Sequence, residues 1–177
     1  VKEMSGNLTA AINLNENYCS KCTVCYSVCP FEAILRDEKT VEVRIDVEKC
    51  QTCGICSSAC PASAIELAYY DNKSLLDYVK KRMRALKTKT LVLMCRGSSS
   101  QSCEILDLLQ TQNVKTFIPL RLPCVGRLSP RFYLQALSVG VNKIIVVQCD
   151  EDFCRFKKGS EINLSKVSMT HQLLTQL

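Results

Sequence analysis

Two runs of cysteines with the same spacing constrain this chain more than anything else in its sequence. Cys19, Cys22, Cys25 and Cys29 are spaced C-x-x-C-x-x-C-x-x-x-C and lead into Pro30, and Cys50, Cys53, Cys56 and Cys60 repeat the run up to Pro61. The residues that follow repeat as well, Phe31-Glu32-Ala33-Ile34 being answered by Ala62-Ser63-Ala64-Ile65. This reads as an internal duplication of a small unit, as expected for a fold with pseudo-twofold symmetry. A disulfide framework would suit a short secreted chain, but nothing reads as a signal peptide and evenly stepped triplets are poor disulfide geometry. A zinc ribbon needs two C-x-x-C knuckles per metal and leaves the third cysteine of each triplet surplus.

The complete run, matched twice, is the ligand pattern of iron-sulfur chemistry and resembles that of two-cluster bacterial-type ferredoxins. The resemblance implies that the fourth cysteine of each run, carried away by the turn before proline, reaches the other cluster. One 4Fe-4S cluster would be held by Cys19, Cys22, Cys25 and Cys60, the second by Cys50, Cys53, Cys56 and Cys29. So small a unit has little core of its own, and its clusters must supply much of its stability.

Thirteen cysteines in 177 residues are far above ordinary usage and point to metal or redox chemistry throughout. The length suits one or two small domains. No apolar run approaches a membrane span, and abundant free thiols imply a reducing compartment, most simply the cytoplasm. The formal charge of +6 counts every cysteine as neutral. With twelve of them as cluster thiolates the holoprotein would be close to neutral, which weakens a nucleic-acid reading. His171, the single histidine, sits in a polar setting and reads as a surface residue. A chain beginning at Val1 without methionine fits processing or a fragment of something longer.

Along the chain, residues 1–70 are expected to form the two-cluster α+β unit with an N-terminal lead-in carrying one short strand near Ala11 to Leu14. Thr40 to Val47 alternates apolar and polar residues and predicts a half-buried strand. Residues 71–88 predict a connecting basic amphipathic helix: Ser74 with Asp77 resembles a capping box, and Leu75, Leu76, Val79, Met83 and Leu86 share one face. Its lysines and arginines read as a solvated surface.

Residues 89–177 read as a small α/β domain with a parallel sheet. Thr90 to Met94, Val114 to Leu122 and Lys143 to Gln148 predict strands, with Pro119 marking an irregular or edge position and the last strand fit for burial. Cys103 to Leu109 predicts a helix, and a second runs from the N-cap Ser129 and Pro130 to Gly140. The order strand-helix-strand-helix-strand implies parallel pairing. Cys95, Cys124 and Cys149 each follow a strand end, the edge where ligands gather in open parallel sheets, and Cys154 joins them through the loop after Cys149. Four thiolates there suit a 2Fe-2S cluster, with zinc as the competing occupant. Cys103 is left out, as a small buried hydrophobe. Arg96, Arg127 and Arg155 lie within three residues of these cysteines, as donors that tune a potential or as surface residues.

With both halves in view, residues 19–66 resemble the two-cluster ferredoxin portion of heterodisulfide reductase, and residues 90–160 resemble the delta subunit of methyl-viologen-reducing hydrogenase. The second resemblance rests on Cys124-Val125-Gly126-Arg127, the helix opened by Ser129-Pro130, and Cys149 to Cys154 followed by Lys158-Gly159. That family usually shows a C-x-x-C pair at the first strand end, where this chain has Cys95 and then Ser98. The resemblance implies an electron-relaying component between a hydrogenase or formate dehydrogenase type module and a flavin-containing heterodisulfide reductase-like subunit that bifurcates electrons. The chain itself has no G-x-G-x-x-G fingerprint for a flavin. Three other readings stay open: a free ferredoxin-like carrier, a thiol-disulfide reductase using Cys149 and Cys154 or Cys103, and a zinc module whose basic helix meets nucleic acid.

Overall fold

The computed structural model describes residues 12–68, 70–96, 102–111 and 113–176. The first unit contains β1 (Ile12–Leu14), α1 (Val24–Val28), β2 (Ile34–Arg36), β3 (Val43–Ile45), α2 (Ile55–Ala59) and β4 (Ile65–Leu67). Each of the first three elements recurs 31 positions later, Ile12 as Val43, Val24 as Ile55 and Ile34 as Ile65. Pairing is exchanged between the copies: β1 pairs antiparallel with β4 (Ile12 opposite Leu67) and β2 with β3 (Arg36 opposite Val43). The duplication read from the cysteines is therefore also a duplication of the backbone.

Strand β3 is shorter than the alternation predicted. Asp37 Oδ1 accepts from the Lys39 and Thr40 N–H groups, both at 2.8 Å, and Val41 takes a positive φ of 59°. That turn ends the ladder before residue 43, and beyond it Val47 is 54% exposed. The core is correspondingly thin: Ile12, Ile34, Val43, Ile65 and Leu67 close on Cys25 and Cys56.

The connecting helix, α3 (Asn72–Leu86), starts earlier than the capping-box reading placed it. Asp71 is its N-cap and accepts from the Ser74 N–H at 2.9 Å, so Ser74 is a residue of the first turn. Its apolar face is not free, because Leu75 and Val79 pack in one core with Leu91, Leu93, Phe132 and Ala136.

The second unit is built on a three-stranded parallel sheet of β5 (Thr90–Cys95), β6 (Ile118–Leu122) and β7 (Lys143–Val147), in the order β6-β5-β7. Alternation along β5 sends Leu91, Leu93 and Cys95 to the face covered by α3 and α5 (Pro130–Ser138). Val92 and Met94 go to the other face, with Leu109 of α4 (Ser102–Thr111). Strand β7 is half-buried along its length, and the buried strand is instead β5, because only the middle strand of three is flanked on both sides. Strand β6 is the other edge and takes Pro119 there. Helix α5 opens as read, with the Ser129 side chain accepting from Phe132 N, and Gly140 ends it at φ 107°. A final helix, α6 (Gly159–Thr175), lies beyond the predicted elements. No helix among the described residues is long and apolar enough to cross a membrane.

Candidate functional site

The two cysteine runs each fold into a loop followed by a single helical turn, and left-handed residues recur at matching places. Lys21 and Thr23 have φ of 54° and 59°; their counterparts Thr52 and Gly54 have 50° and 83°. Such alternation turns successive backbone N–H groups inward, the concavity that suits an anionic iron-sulfur site. Gly54 is further constrained, since a Cβ there would lie 2.9 Å from Arg127 Cβ. The last cysteine of each run accepts an equivalent bond: Ala33 N–H donates to Cys29 Sγ at 3.4 Å and Ala64 N–H to Cys60 Sγ at 3.3 Å.

The cysteines gather across the repeat. Burial raises the pKa of the Cys25 thiol, and the charges of Cys60, Cys22 and Cys19 raise it further. Burial likewise pushes Cys56 up to about 12, assisted by Cys53, Cys29 and Cys50. Cys29, Cys50, Cys53 and Cys56 also line one cavity with Phe31 and Ile55. Each group thus combines three cysteines of one run with the fourth of the other. Cys22 is exposed, and hydrogen bonds from the Val24 N–H and then Ser20 hold its thiol below the ordinary value.

The third group converges from the sheet edge. Val125 N–H donates to Cys95 Sγ at 3.3 Å. A hydrogen bond with the Cys124 side chain, opposed by burial, holds the Cys95 thiol down and drives its partner up. Burial and the Cys95 charge push Cys149 up to about 11, with Cys154 contributing. Gly159, the first residue of α6, leaves room for the sulfurs: a Cβ on it would lie 2.6 Å from Cys124 Sγ and 3.4 Å from Cys154 Sγ. The Cys149 loop is tied down by Ser160 Oγ, which donates to Cys149 O at 2.7 Å. Behind it, Tyr133 hydroxyl donates to Asn163 Oδ1 and Asn163 Nδ2 to Gln148 Oε1, both at 2.8 Å.

Among the described residues no three His, Cys, Asp or Glu side chains close around a single ion. A multi-iron core asks for something else, namely thiolates spaced around its outside and backbone N–H groups aimed at sulfur. All three groups supply thiols, and each has an N–H donating to a cysteine sulfur, so the residues fit the group. The side chain of Cys103 lies outside the described residues. Of the three arginines, Arg96 and Arg155 are exposed, whereas Arg127 is 6% exposed, donates to Tyr70 O and stacks 5.0 Å from that ring's centre.

The second and third groups adjoin. Cys53, Ile55, Cys124 and Phe156 form one buried cluster, with Phe31 packed against it. Phe31 and Phe156 meet edge to face at 6.1 Å. Lys157 Nζ crosses to Pro30 O at 3.0 Å, and Ser58 Oγ donates to Gly126 O at 3.0 Å. Lys166 of α6 reaches the same place, donating to Gly126 O at 2.8 Å. Sequence reasoning missed Ser58, Asn163 and Lys166, whose roles depend on contacts between distant segments and leave no local pattern.

Residues 90–177 match the family model of the methyl-viologen-reducing hydrogenase, delta subunit, and residues 11–73 that of the 4Fe-4S dicluster domain. The chain is 31% identical over 85 residues to an iron-sulfur subunit of the F420-non-reducing hydrogenase of Archaeoglobus profundus, covering 48% of this chain and 62% of that protein. It is 27% identical over 169 residues to one of the subunits of the ferredoxin:CoB-CoM heterodisulfide reductase of Methanosarcina mazei, covering 93% of this chain but 21% of that protein. The chain therefore spans less than two thirds of the length of either relative.

Proposed function

On the premise that this chain joins a 4Fe-4S dicluster domain to a domain of the methyl-viologen-reducing hydrogenase delta-subunit family, we propose that it is a three-centre electron relay. It is an iron-sulfur electron-transfer component related to hydrogenase and heterodisulfide reductase subunits; the number of centres, their ligands and their partners are our reading. Cys19, Cys22, Cys25 and Cys60 hold one 4Fe-4S cluster in a two-cluster ferredoxin-like fold, and Cys50, Cys53, Cys56 and Cys29 hold the other. Cys95, Cys124, Cys149 and Cys154 hold a 2Fe-2S cluster. Bound there, the clusters store and release single electrons at closed, all-cysteine sites that admit no substrate.

The observation that carries the relay is the shared packing of Cys53 with Cys124. It makes the Cys50 group the middle station, with the exposed Cys22 at one end and the Cys149–Cys154 loop at the other. Ile55, Phe31 and Phe156 keep water out of the join. The relatives' names support partners of the hydrogenase and heterodisulfide reductase class; our reading is a hydrogenase or formate dehydrogenase type module on one side and a flavin-containing heterodisulfide reductase-like subunit, bifurcating electrons, on the other. The thiol-disulfide alternative fits less well, because Cys149 and Cys154 are spaced C-x-x-x-x-C rather than C-x-x-C, and an attacking thiol needs a depressed pKa and access whereas burial raises that of Cys149.

Anaerobic isolation of the native assembly tests the proposal. About ten irons per chain with three reducible signals by EPR, and co-purification with a flavoprotein and a hydrogenase or dehydrogenase, are expected. About eight irons with two titratable thiols at Cys149 and Cys154 would replace the relay with the reductase.

A further inference from the structure

The relay leaves one half-buried charge without a role. Lys166 Nζ donates to Gly126 O at 2.8 Å and to Ser58 Oγ, which places the ammonium where α2 meets the turn after Cys124. Ion pairs among the described residues join Lys21 to Glu42 and Lys80 to Asp77, and neither involves it. Burial lowers its pKa to about 8, and the charges that act in the opposite direction are those of Cys124 and Cys53. Withdrawing a cation from water is costly unless it faces negative charge. In the ligation proposed above, that charge comes from the thiolates of Cys53 and Cys124, one in each unit.

We propose that Lys166 sets the potential of the junction: its ammonium, held between the Cys50 group and the Cys95 group, stabilises an added electron at both and makes both easier to reduce. This rests on the cluster ligation proposed above. The sign follows from Coulomb attraction, since one-electron reduction adds one negative charge and a fixed cation in a poorly solvated place is screened little. Among the described residues the cysteine charges that act on Lys166 are those of Cys53 and Cys124, neither of which belongs to the Cys19 group. The packing does not depend on the charge alone, because Ser58 Oγ bonds Gly126 O at 3.0 Å without Lys166.

The test is potentiometric titration, read by EPR, of the anaerobically isolated holoprotein as wild type, Lys166→Met and Lys166→Gln. Both variants are expected to show, at a fixed applied potential, a reduced-to-oxidised ratio about tenfold lower at the two junction clusters, a shift of about 59 mV for one electron. The Cys19 cluster is expected to keep its wild-type potential. Glutamine keeps a donor for Gly126 O, so a shift in Lys166→Met with wild-type behaviour in Lys166→Gln would assign the effect to hydrogen bonding and overturn the proposal. Unchanged potentials in both, an equal shift of all three clusters, or loss of iron from both variants would also overturn it. Iron and sulfide assays on the wild type separate the two levels: an iron-free wild type overturns the ligation itself, and the role of Lys166 with it.

Discussion

Cys53 and Cys124, from opposite halves of the chain, are buried in one cluster with Ile55 and Phe156. Neither unit encloses that cluster alone. Helix α2 supplies one wall and the turn at Val125–Arg127 the other, and Gly54 lets the two backbones approach, since a Cβ on it would strike Arg127 Cβ at 2.9 Å. In the proposed relay, two units that meet through their cysteine-bearing loops rather than through a distant surface are arranged for passing charge between them.

Gly159→Ala is expected to damage the third site and spare the other two. The new methyl would lie 2.6 Å from Cys124 Sγ, a separation that forces the sulfur or the start of α6 to move. On the proposed ligation, iron content should fall from about ten to about eight per chain while the two 4Fe-4S signals persist. Full iron in the variant would mean that Cys124 and Cys154 do not share a cluster beside this glycine.

Asn163→Ala should lower the thermal unfolding midpoint by breaking the tie between α5 and the segment that leaves β7 at Gln148. Asn163 is 1% exposed and bonds both Tyr133 and Gln148. Leaving a buried partner unsatisfied costs about 1–3 kcal/mol. Tyr133→Phe removes one of the two bonds and should cost less; equal losses would place the weight on Tyr133 alone.

What the sequence disclosed depended on whether a residue's role had a local pattern. The cysteine runs with their prolines disclosed the duplication, and β5, β7 and α5 were legible from continuous apolar runs and from Ser129, Pro130 and Gly140. The exchanged pairing of β1 with β4 and β2 with β3 was not, because strands of three residues carry too little alternation. Helix α6 was hidden for the opposite reason: it buries Asn163 and Thr170 while Leu164, Met169 and Leu173 are 57%, 53% and 43% exposed, which inverts the usual pattern. The cap of α3 was misplaced because Ser74-x-x-Asp77 and Asp71-x-x-Ser74 are both acceptable local patterns; the side-chain bond selects the second. The sequence placed Cys95, Cys124 and Cys149 at strand ends and Cys154 in the loop that follows, whereas nothing local marked Lys166, whose bonds reach Gly126 and Ser58 in distant segments.

Asp71→Ala should remove the cap of α3 at a cost of about 0.5–2 kcal/mol. Hydrogen bonds from Ser74, side chain first, hold the Asp71 carboxyl below its ordinary value. A depressed native pKa contributes stability that is present above the unfolded value, near about 3.9, and is lost as pH falls through the native one. Denaturation midpoints of wild type and variant should therefore differ at neutral pH and converge in acid below that value. A gap that persists there would remove the carboxylate from the account.

Iron removal should unfold one unit and leave the other. Cys25 and Cys56 belong to the buried core of residues 12–67, and Cys19, Cys29, Cys50 and Cys60 pack against it, so without metal that core loses what ties its cysteines together. Metal affinity of such a site is folding free energy. The parallel sheet has its own packing: Leu91, Leu93, Ile118, Leu122, Phe132 and Ala136 are completely buried, and each large apolar side chain so enclosed contributes about 1.5–3 kcal/mol. After anaerobic chelation, hydrogen exchange should accelerate at Ile34 and Ile65 while amides of Leu91 and Leu93 stay protected. Protection retained at Ile34 and Ile65 would show that the exchanged strand pairs stand without iron, and would withdraw the claim that clusters hold this half of the chain together.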